Sequence, residues 1–470
     1  MKPRPAAEIA NQVDGRLVGD DVIVGPDVVL DSRVVTPGSL FVATPGARVD
    51  GHDFVVAAGA GGAAAALVSR VVDAQLPQIV VPDTTEALGE LARRIATSAI
   101  DRGMISLALT GSSGKTGTKD MLAQILEPEG PTVAPRGSYN SELGLPITVT
   151  GIDDATRYLV AEMGATGTGH IQWLCAITNP VIAGVLNVGH AHIGEFGSQA
   201  AIAQAKGEIV EALPSNGWAV LNADDPLVAA MASRTSAKLA WFSASDRDVP
   251  DARIWVGASD VSLDDLDRAT FRLVGRTEAG VFDEPVTLTT LGVHQVANAC
   301  AAATLGLCAG VAPARVAAGL NSAVARSHWR MEPHRLADGT LVLNDAYNAN
   351  PDSVAAALAS FARLGAARPG TPMTAVLGDM LELGEATQSS HEAIGRRAAE
   401  IGAIVLAVGD HAEDVVAGAR LAGGEAHAMA RADVADWLAE RPGGIVLVKG
   451  SRGVGMETIV EQMEQREVAR

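Results

Sequence analysis

The feature that most constrains this chain is the run Ile105 to Leu126, ISLALT-GSSGKT-GTKDMLAQIL. Six apolar-rich residues of a buried-strand type pass through a glycine loop directly into an apolar-periodic helix. Those are the parts of a phosphate-binding strand–loop–helix unit. In Thr110-Gly111-Ser112-Ser113-Gly114-Lys115-Thr116 the glycines allow successive amides to face a phosphate. Lys115 can approach the outer oxygens, and Thr116 can offer its hydroxyl to magnesium. The string is shorter than the full Walker pattern, because Leu109 stands where that pattern has glycine. The bland alternative is a glycine turn before a helix with an exposed lysine.

Around this unit the chain of 470 residues is long enough for several domains. Residues 1–103 read as a small mixed domain with short strands at VIVGPDVVLDSR and SLFVATPG. A helix over 53–66 and another from Thr85 to Ala99, capped by Thr84 or Thr85, are expected there. Residues 104–325 read as an α/β domain with strands at RYLVAEM, AGVLNV, WAVLN and LAWFS. Antiparallel strands over 253–291 then form an insertion, and a mostly helical stretch runs from Val293 to about Val324. Residues 326–470 carry LVLNDAY, MTAVLGDM, AIVLAVGD and GIVLVKG at intervals near thirty residues, the pattern of an open, Rossmann-like parallel sheet with crossover helices.

Composition narrows the functional classes. With 55 acidic against 36 basic residues the net charge is -19, spread along the chain. That disfavours a nucleic-acid coat, which needs a basic surface, but leaves room for a small anionic ligand in a local pocket. Three cysteines, Cys175, Cys300 and Cys308, make no disulfide framework or zinc spacing. No signal-peptide pattern and no clean run of about twenty apolar residues occurs, so a cytoplasmic protein without stable membrane insertion is expected.

Other polar clusters fall at strand ends, where parallel sheets bind ligands. Glu162 closes RYLVAE, and His190 and His192 follow AGVLNV. By spacing alone Glu162 is either a magnesium ligand or ordinary loop polarity, and His192 either completes a mixed site or satisfies a carbonyl. Lys206, in AIAQAKGEIVEAL, reads by composition as a surface lysine. Asp345, Tyr347, Asn348 and Asn350 form the loop DAYNANP, with Pro351 starting the next helix. Asp379 and Glu382 in GDMLELG, Lys449, Ser451, Arg452 and Arg330 are further polar candidates, each with a surface or salt-bridge alternative. Arg33 and the segment Asp50-Gly51-His52 suit an anionic, ring-bearing ligand or ordinary turns.

In this order, DSRVVTPGSLFVA, GSSGKTGTKD, RGSYNSELGLP, AEMG, NVGHAHIGEFG, AKGEI, LGVHQVANACAAA, RMEPHR, NDAYNANPDS, GDMLELG and VKGSRGVGME span nearly the whole chain. Their joint order resembles the ATP-dependent Mur ligases of peptidoglycan synthesis, and NDAYNANPDS resembles the branch that adds a terminal dipeptide. The resemblance implies a three-domain α/β architecture: a substrate domain holding a UDP-sugar, a central ATP-binding domain, and a C-terminal domain for nucleotide contacts and the incoming dipeptide. It implies ATP and Mg2+, with UDP-N-acetylmuramoyl-tripeptide and D-alanyl-D-alanine joined through an acyl phosphate; a monomer is expected because all the proposed parts occur in one chain.

By the same resemblance Gly114, Lys115 and Thr116 are the phosphate and magnesium loop. Glu162 and His192 are magnesium ligands, and Lys206 is carried as a metal-binding carbamate. His294 and Asn298 contact the nucleotide, Arg330 reaches across domains to phosphate, and Asp345 serves ribose or a magnesium-bound water. Tyr347, Asn348, Asn350 and Pro351 line the nucleotide site. The Arg33 region and the Asp50-Gly51-His52 segment hold the UDP-sugar. Asn140, Ser141 and Glu142 lie toward the muramoyl-peptide. Two other classes remain open at this level. One is a folylpolyglutamate synthase-like ligase, which DAYNANP disfavours; the other is a nucleotide-gated binding protein without turnover.

Overall fold

The computed structural model describes residues 1–46, 49–135, 137–189, 193–245 and 247–468. His190 and His192 lie outside them. The N-terminal sheet has five strands in the order Arg16–Val18, Gln78–Val80, Ala65–Val68, Leu40–Val42, Val28–Val29; all neighbours are parallel except the first pair. The helix expected over 53–66 is shorter, a 3-10 turn at Gly51–Phe54 followed by Val55–Ala60. Gly61-Gly62 ends it, with Gly62 at a left-handed φ of 103°, so the chain is free to enter the strand at Ala65. The following helix, Thr84–Asp101, is capped by Asp83 and not by Thr84 or Thr85. The Asp83 carboxylate accepts the N–H groups of Thr85 and Glu86, while Thr84 is itself buried. A charged acceptor outcompetes a hydroxyl for those amides.

The central sheet has nine strands: Gly280–Leu291, Arg268–Thr277, Ile254–Leu263, Lys238–Phe242, Trp218–Asn222, Ile182–Val185, Ile105–Thr110, Tyr158–Glu162, Thr132–Val133. Neighbours from Thr132–Val133 through Ile254–Leu263 are parallel, and the last two pairings are antiparallel. The expected strand insertion is therefore a wing that continues the same sheet. After Ile105–Thr110 the chain adds Tyr158–Glu162 on one side and Ile182–Val185 on the other. That reversal opens a crevice at the strands' carboxyl ends, beside Thr110, Glu162 and Asn187.

The C-terminal sheet runs Glu332–Arg335, Leu341–Asp345, Ile445–Lys449, Met373–Gly378, Ile404–Val408, Ala426–Ala428, parallel except for the first pair. Its four long strands are those expected. The two short edges, one beginning Glu-Pro-His and the other Ala-His-Ala, carry too little apolar pattern to announce themselves. Asp345 and Lys449 end adjacent strands at the centre of this sheet.

One apolar core joins Leu40, Leu67 and Ile79 of the first sheet to Leu88, Leu91 and Ile95 of the long helix and on to Leu159, Ala183 and Leu221 of the central sheet. The long helix packs on Gly144–Thr150 and His170–Thr178. Among the described residues no helix is long and apolar enough to cross a membrane.

Candidate active site

The glycine loop turns into its helix at Gly114, whose φ is 79°. A Cβ there would also collide with Asn298 Oδ1 of the helix Gln295–Cys308. Glycine is thus required twice, by the left-handed backbone and by the neighbour. The loop is held from the next strand: Ser112 N–H donates to the Asn187 carbonyl at 3.1 Å and Ser113 N–H to Asn187 Oδ1 at 2.9 Å. Lys115 Nζ folds back to donate to the Gly111 carbonyl at 2.7 Å.

This loop opens into a cleft of about 610 Å³ between the central and C-terminal sheets, a size that suits a small-molecule ligand. Its walls include Lys115, Thr116, Glu162 and Lys206 from the centre, His294 and Asn298 from the helix start, and Arg330, Asp345, Tyr347, Asn348 and Asn350 from the third sheet. Ser112, Ser113 and Gly114 line it as well, and so do Asn140, Ser141, Glu142, Glu382, Lys449, Ser451 and Arg452. Thr110, Gly111 and Pro351 stand behind this wall. The Thr110 hydroxyl donates to the Met163 carbonyl at 2.9 Å, and Pro351 is the first residue of a helix capped by Asn350 and Ser353 in a capping box.

At the centre, Arg330 Nη2 donates to Thr116 Oγ1 and to Ser138 Oγ, both at 3.0 Å, so a C-terminal arginine touches the phosphate loop. Its guanidinium lies over the Tyr347 ring, 4.2 Å from the centroid, which restrains the plane of the fork. Thr116 also donates to Glu162 Oε1 at 3.3 Å, and Asn140 Nδ2 donates to the same oxygen at 2.7 Å. Glu162 is fully buried, and its other oxygen, Oε2, has no hydrogen-bond partner. Such a carboxylate oxygen is costly unless a cation or donor arrives.

Lys206 is 5 % exposed, so the surface reading from composition is wrong; the helix Gln199–Glu211 turns this residue into the cleft. Burial, reinforced by the nearby Lys115 charge, pushes its ammonium well below the usual lysine range. Lys115 is lowered too, chiefly by burial; Glu162 opposes this and Arg330 adds to it. Burial likewise lowers His294, against the pull of Asp345 and Asp267. Among the described residues no three His, Cys, Asp or Glu side chains gather as a metal site. The oxygen donors present are the Thr116 hydroxyl and Glu162, a hard set of the kind magnesium prefers.

Asp345 is tied on both oxygens, accepting Lys449 Nζ at 2.6 Å and the Met331 N–H at 3.1 Å. Asp379 faces away from the cleft and accepts the N–H groups of Asp410 and His411, each at 2.9 Å. Its neighbour Glu382 does reach the wall. In the first domain Arg33, on a 3-10 turn, is exposed and paired with Asp31. His52 is buried; its Nε2 accepts the Ser69 N–H at 2.9 Å, which leaves Nδ1 to donate to Asp50 at 2.6 Å. Asp50 also accepts from Arg70 at 2.8 Å. Ser138, Asn187 and Asp120 were not singled out by sequence. Asn187 lies just after the strand Ile182–Val185, where a strand's carboxyl end could have marked it, whereas Ser138 sits in RGSYN, which carries only the family resemblance.

Residues 27–96 match the Mur ligase family catalytic domain, 109–306 the Mur ligase middle domain, and 329–452 the Mur ligase glutamate ligase domain. The UDP-N-acetylmuramoyl-tripeptide--D-alanyl-D-alanine ligase of Mycobacterium bovis is 41 % identical over 478 residues, covering 93 % of this chain and 91 % of that protein. A crystal structure of MurF from Acinetobacter baumannii superposes with a TM-score of 0.84 at 31 % identity over 99 % of both chains. MurF ligase from Thermotoga maritima in complex with ADP gives 0.75 at 28 % identity, covering 94 % of this chain and 98 % of that one. With three domain matches in the order of the three large sheets and a likeness running end to end, the chain belongs to the Mur ligase family, on the branch of the UDP-N-acetylmuramoyl-tripeptide--D-alanyl-D-alanine ligases.

Proposed function

We propose that the protein uses ATP to join D-alanyl-D-alanine to UDP-N-acetylmuramoyl-tripeptide, releasing the pentapeptide, ADP and phosphate. The observation that carries the chemistry is Arg330 reaching from the C-terminal domain to Thr116 of the phosphate loop. The end-to-end likeness to ligases of that name supports the choice of substrates.

The chemical problem is that a carboxylate is a poor acyl donor. A tripeptide carboxylate oxygen attacks the γ-phosphorus, the bond to ADP breaks, and an acyl phosphate forms. The dipeptide amine then attacks the acyl carbon, the C–O bond to phosphate breaks, and the amine gives up a proton. Lys115 and Arg330 stabilise charge on the transferring phosphoryl group. Both must be protonated to do so, and a bound polyphosphate restores the charge that burial disfavours at Lys115. Asn298 and His294 approach the loop from the nucleotide side, while Asn140, Ser141 and Glu142 face the muramoyl-peptide. The first domain, with Arg33 and the Asp50 segment, receives the UDP-sugar.

Mg2+ fits the Thr116 hydroxyl and Glu162, and these would hold it with His192 and with Lys206, once the neutral Lys206 amine had added carbon dioxide and lost a proton to become a carbamate. When bound, the metal supplies positive charge to the phosphate oxygens. Burial favours the neutral Lys206 amine that this addition needs. The test is mass detection of product from purified protein with ATP, magnesium, UDP-tripeptide and, in separate reactions, D-alanyl-D-alanine, single amino acids and glutamate. A new amide only with the dipeptide supports the reading; an amide only with a single amino acid or glutamate, or nucleotide binding without product, refutes it.

A further inference from the structure

On the phosphate-loop helix Lys115–Leu126 and its last turn, Asp120, Gln124 and Glu127 recur at spacings of four and three, which stacks them on one stripe. All three hold the same passing segment, 324–327. Gln124 Nε2 donates to the Val324 carbonyl at 2.9 Å, and Gln124 Oε1 accepts the Val324 N–H at 3.0 Å. Asp120 Oδ2 accepts the N–H groups of Ser327 at 3.2 Å and Arg326 at 3.4 Å. Glu127 pairs with the Arg326 guanidinium. The other Asp120 oxygen takes Lys119 Nζ at 2.6 Å. That ammonium also donates to the carbonyls of Pro135 and Gly137, just before Ser138.

Beyond Ser327 the chain changes hands within one residue. Trp329 N–H donates to Glu332 Oε2 at 3.0 Å, its carbonyl accepts the Tyr347 N–H at 3.1 Å, and Met331 N–H donates to Asp345. These partners belong to the C-terminal sheet and its loop. Only His328, with a 78 % exposed side chain, stands between the two sets of anchors. Arg330 is then presented between two left-handed residues, Trp329 at φ 61° and Met331 at φ 51°. Residues with a Cβ keep that conformation only where their surroundings impose it. The orientation of Arg330 therefore depends on both ends of 324–331 being fixed.

We infer that Asp120 and Gln124 are positioning residues, which set Arg330 over the phosphate site by clamping the domain linker to the phosphate-loop helix. This rests on the role given to Arg330 above. The loop that binds phosphate and the arginine that answers it are thereby gauged from one helix.

The experiment is a double-mutant cycle in the full chain. Gln124→Met removes both Val324 bonds at similar length and leaves no charge unpaired; Arg330→Ala removes the group acted through. Amide formation gives kcat and KM, and calorimetry gives affinity for a non-hydrolysable β,γ-imido analogue of ATP. Gln124→Met should lower kcat about tenfold with KM for the UDP-precursor within about twofold, and should change kcat less than about twofold once Arg330 is alanine. Analogue affinity should fall only when Arg330 is present. Asp120→Asn, which keeps one oxygen acceptor, should show the same dependence on Arg330 with a smaller loss. Equal fold losses in both backgrounds overturn the inference. A wild type that binds the analogue but makes no amide refutes the ligase reading instead, and the binding arm still decides this one.

Discussion

Asp267 ties the antiparallel wing of the central sheet to the C-terminal domain, and replacing it should loosen that domain by a predictable amount. Its side chain is 1 % exposed and accepts Arg363 Nε at 2.6 Å, Arg363 Nη2 at 2.9 Å and the Ser360 hydroxyl, all from the helix Pro351–Ala366. Its own carbonyl accepts the Gly292 N–H at 2.9 Å, just before His294. Asp267 has φ 64°, so asparagine, which tolerates that conformation, isolates the loss of charge. Breaking a buried pair from one side costs about 3–5 kcal/mol, and Arg363 is partly open to water, so about 2–3 kcal/mol is expected for Asp267→Asn. For a unit of this size that is a fall of about 5–10 °C in its melting transition. Calorimetry, which separates domain transitions, should show the loss in the transition that also responds to Arg363→Met. The two changes should couple, the double variant costing little more than either single one. A fall below about 2 °C, or plain additivity, would refute the buried-tie argument.

Three further outcomes follow from the cleft and its rim. Lys115→Ala should impair phosphoryl transfer far more than binding of the UDP-precursor; equal losses in kinetics and precursor affinity would reject its placement on the phosphate. Lys206→Ala should lose most activity, and high bicarbonate should not restore it, because the carbamate has no nitrogen to form on; substantial residual turnover would sink that role. His391 is buried, with Nδ1 donating to the Thr387 carbonyl at 2.7 Å and Nε2 accepting the Met380 N–H at 2.9 Å. Burial holds its pKa below the ordinary histidine value; the adjacent His411 lowers it further, while the Thr387 carbonyl, Asp379 and Asp414 oppose. The unfolded chain therefore takes up a proton that the native ring refuses. Stability from this group is present above about pH 6.5 and is lost as pH falls below it. Melting scans across that range should be steeper for the wild type than for His391→Gln; parallel slopes would count against the assignment.

What could be read in the sequence was what repeats with a period or sits at a strand's end. The parallel strands of the C-terminal sheet announce themselves through apolar runs about thirty residues apart, and Glu162, Asp345 and Lys449 through their place at strand ends. Lys206 shows the limit. Alanines and a glycine beside it carry no sign of which helix face meets the cleft, so composition alone put it at the surface, and only likeness to known ligases pointed inward. Asp83 is hard to pick as the cap in the sequence because Thr84 and Thr85 are also good cappers, and the choice depends on where the strand lets go. Asp267 and the Asp120–Gln124 stripe could not be found locally. Their partners lie 96 and about 200 residues away in sequence, and nothing near them marks those distances.

The uninterrupted apolar core running from Leu40 through the helix Thr84–Asp101 to Leu221 gives the first two domains a common foundation. Displacing one from the other would break that apolar packing, whereas the last third is joined to the centre by the linker and by separate ties such as Asp267 with Arg363 and Arg330 with Thr116. A relative movement of the domains would therefore meet two different resistances, shared apolar packing between the first two and discrete side-chain ties at the third.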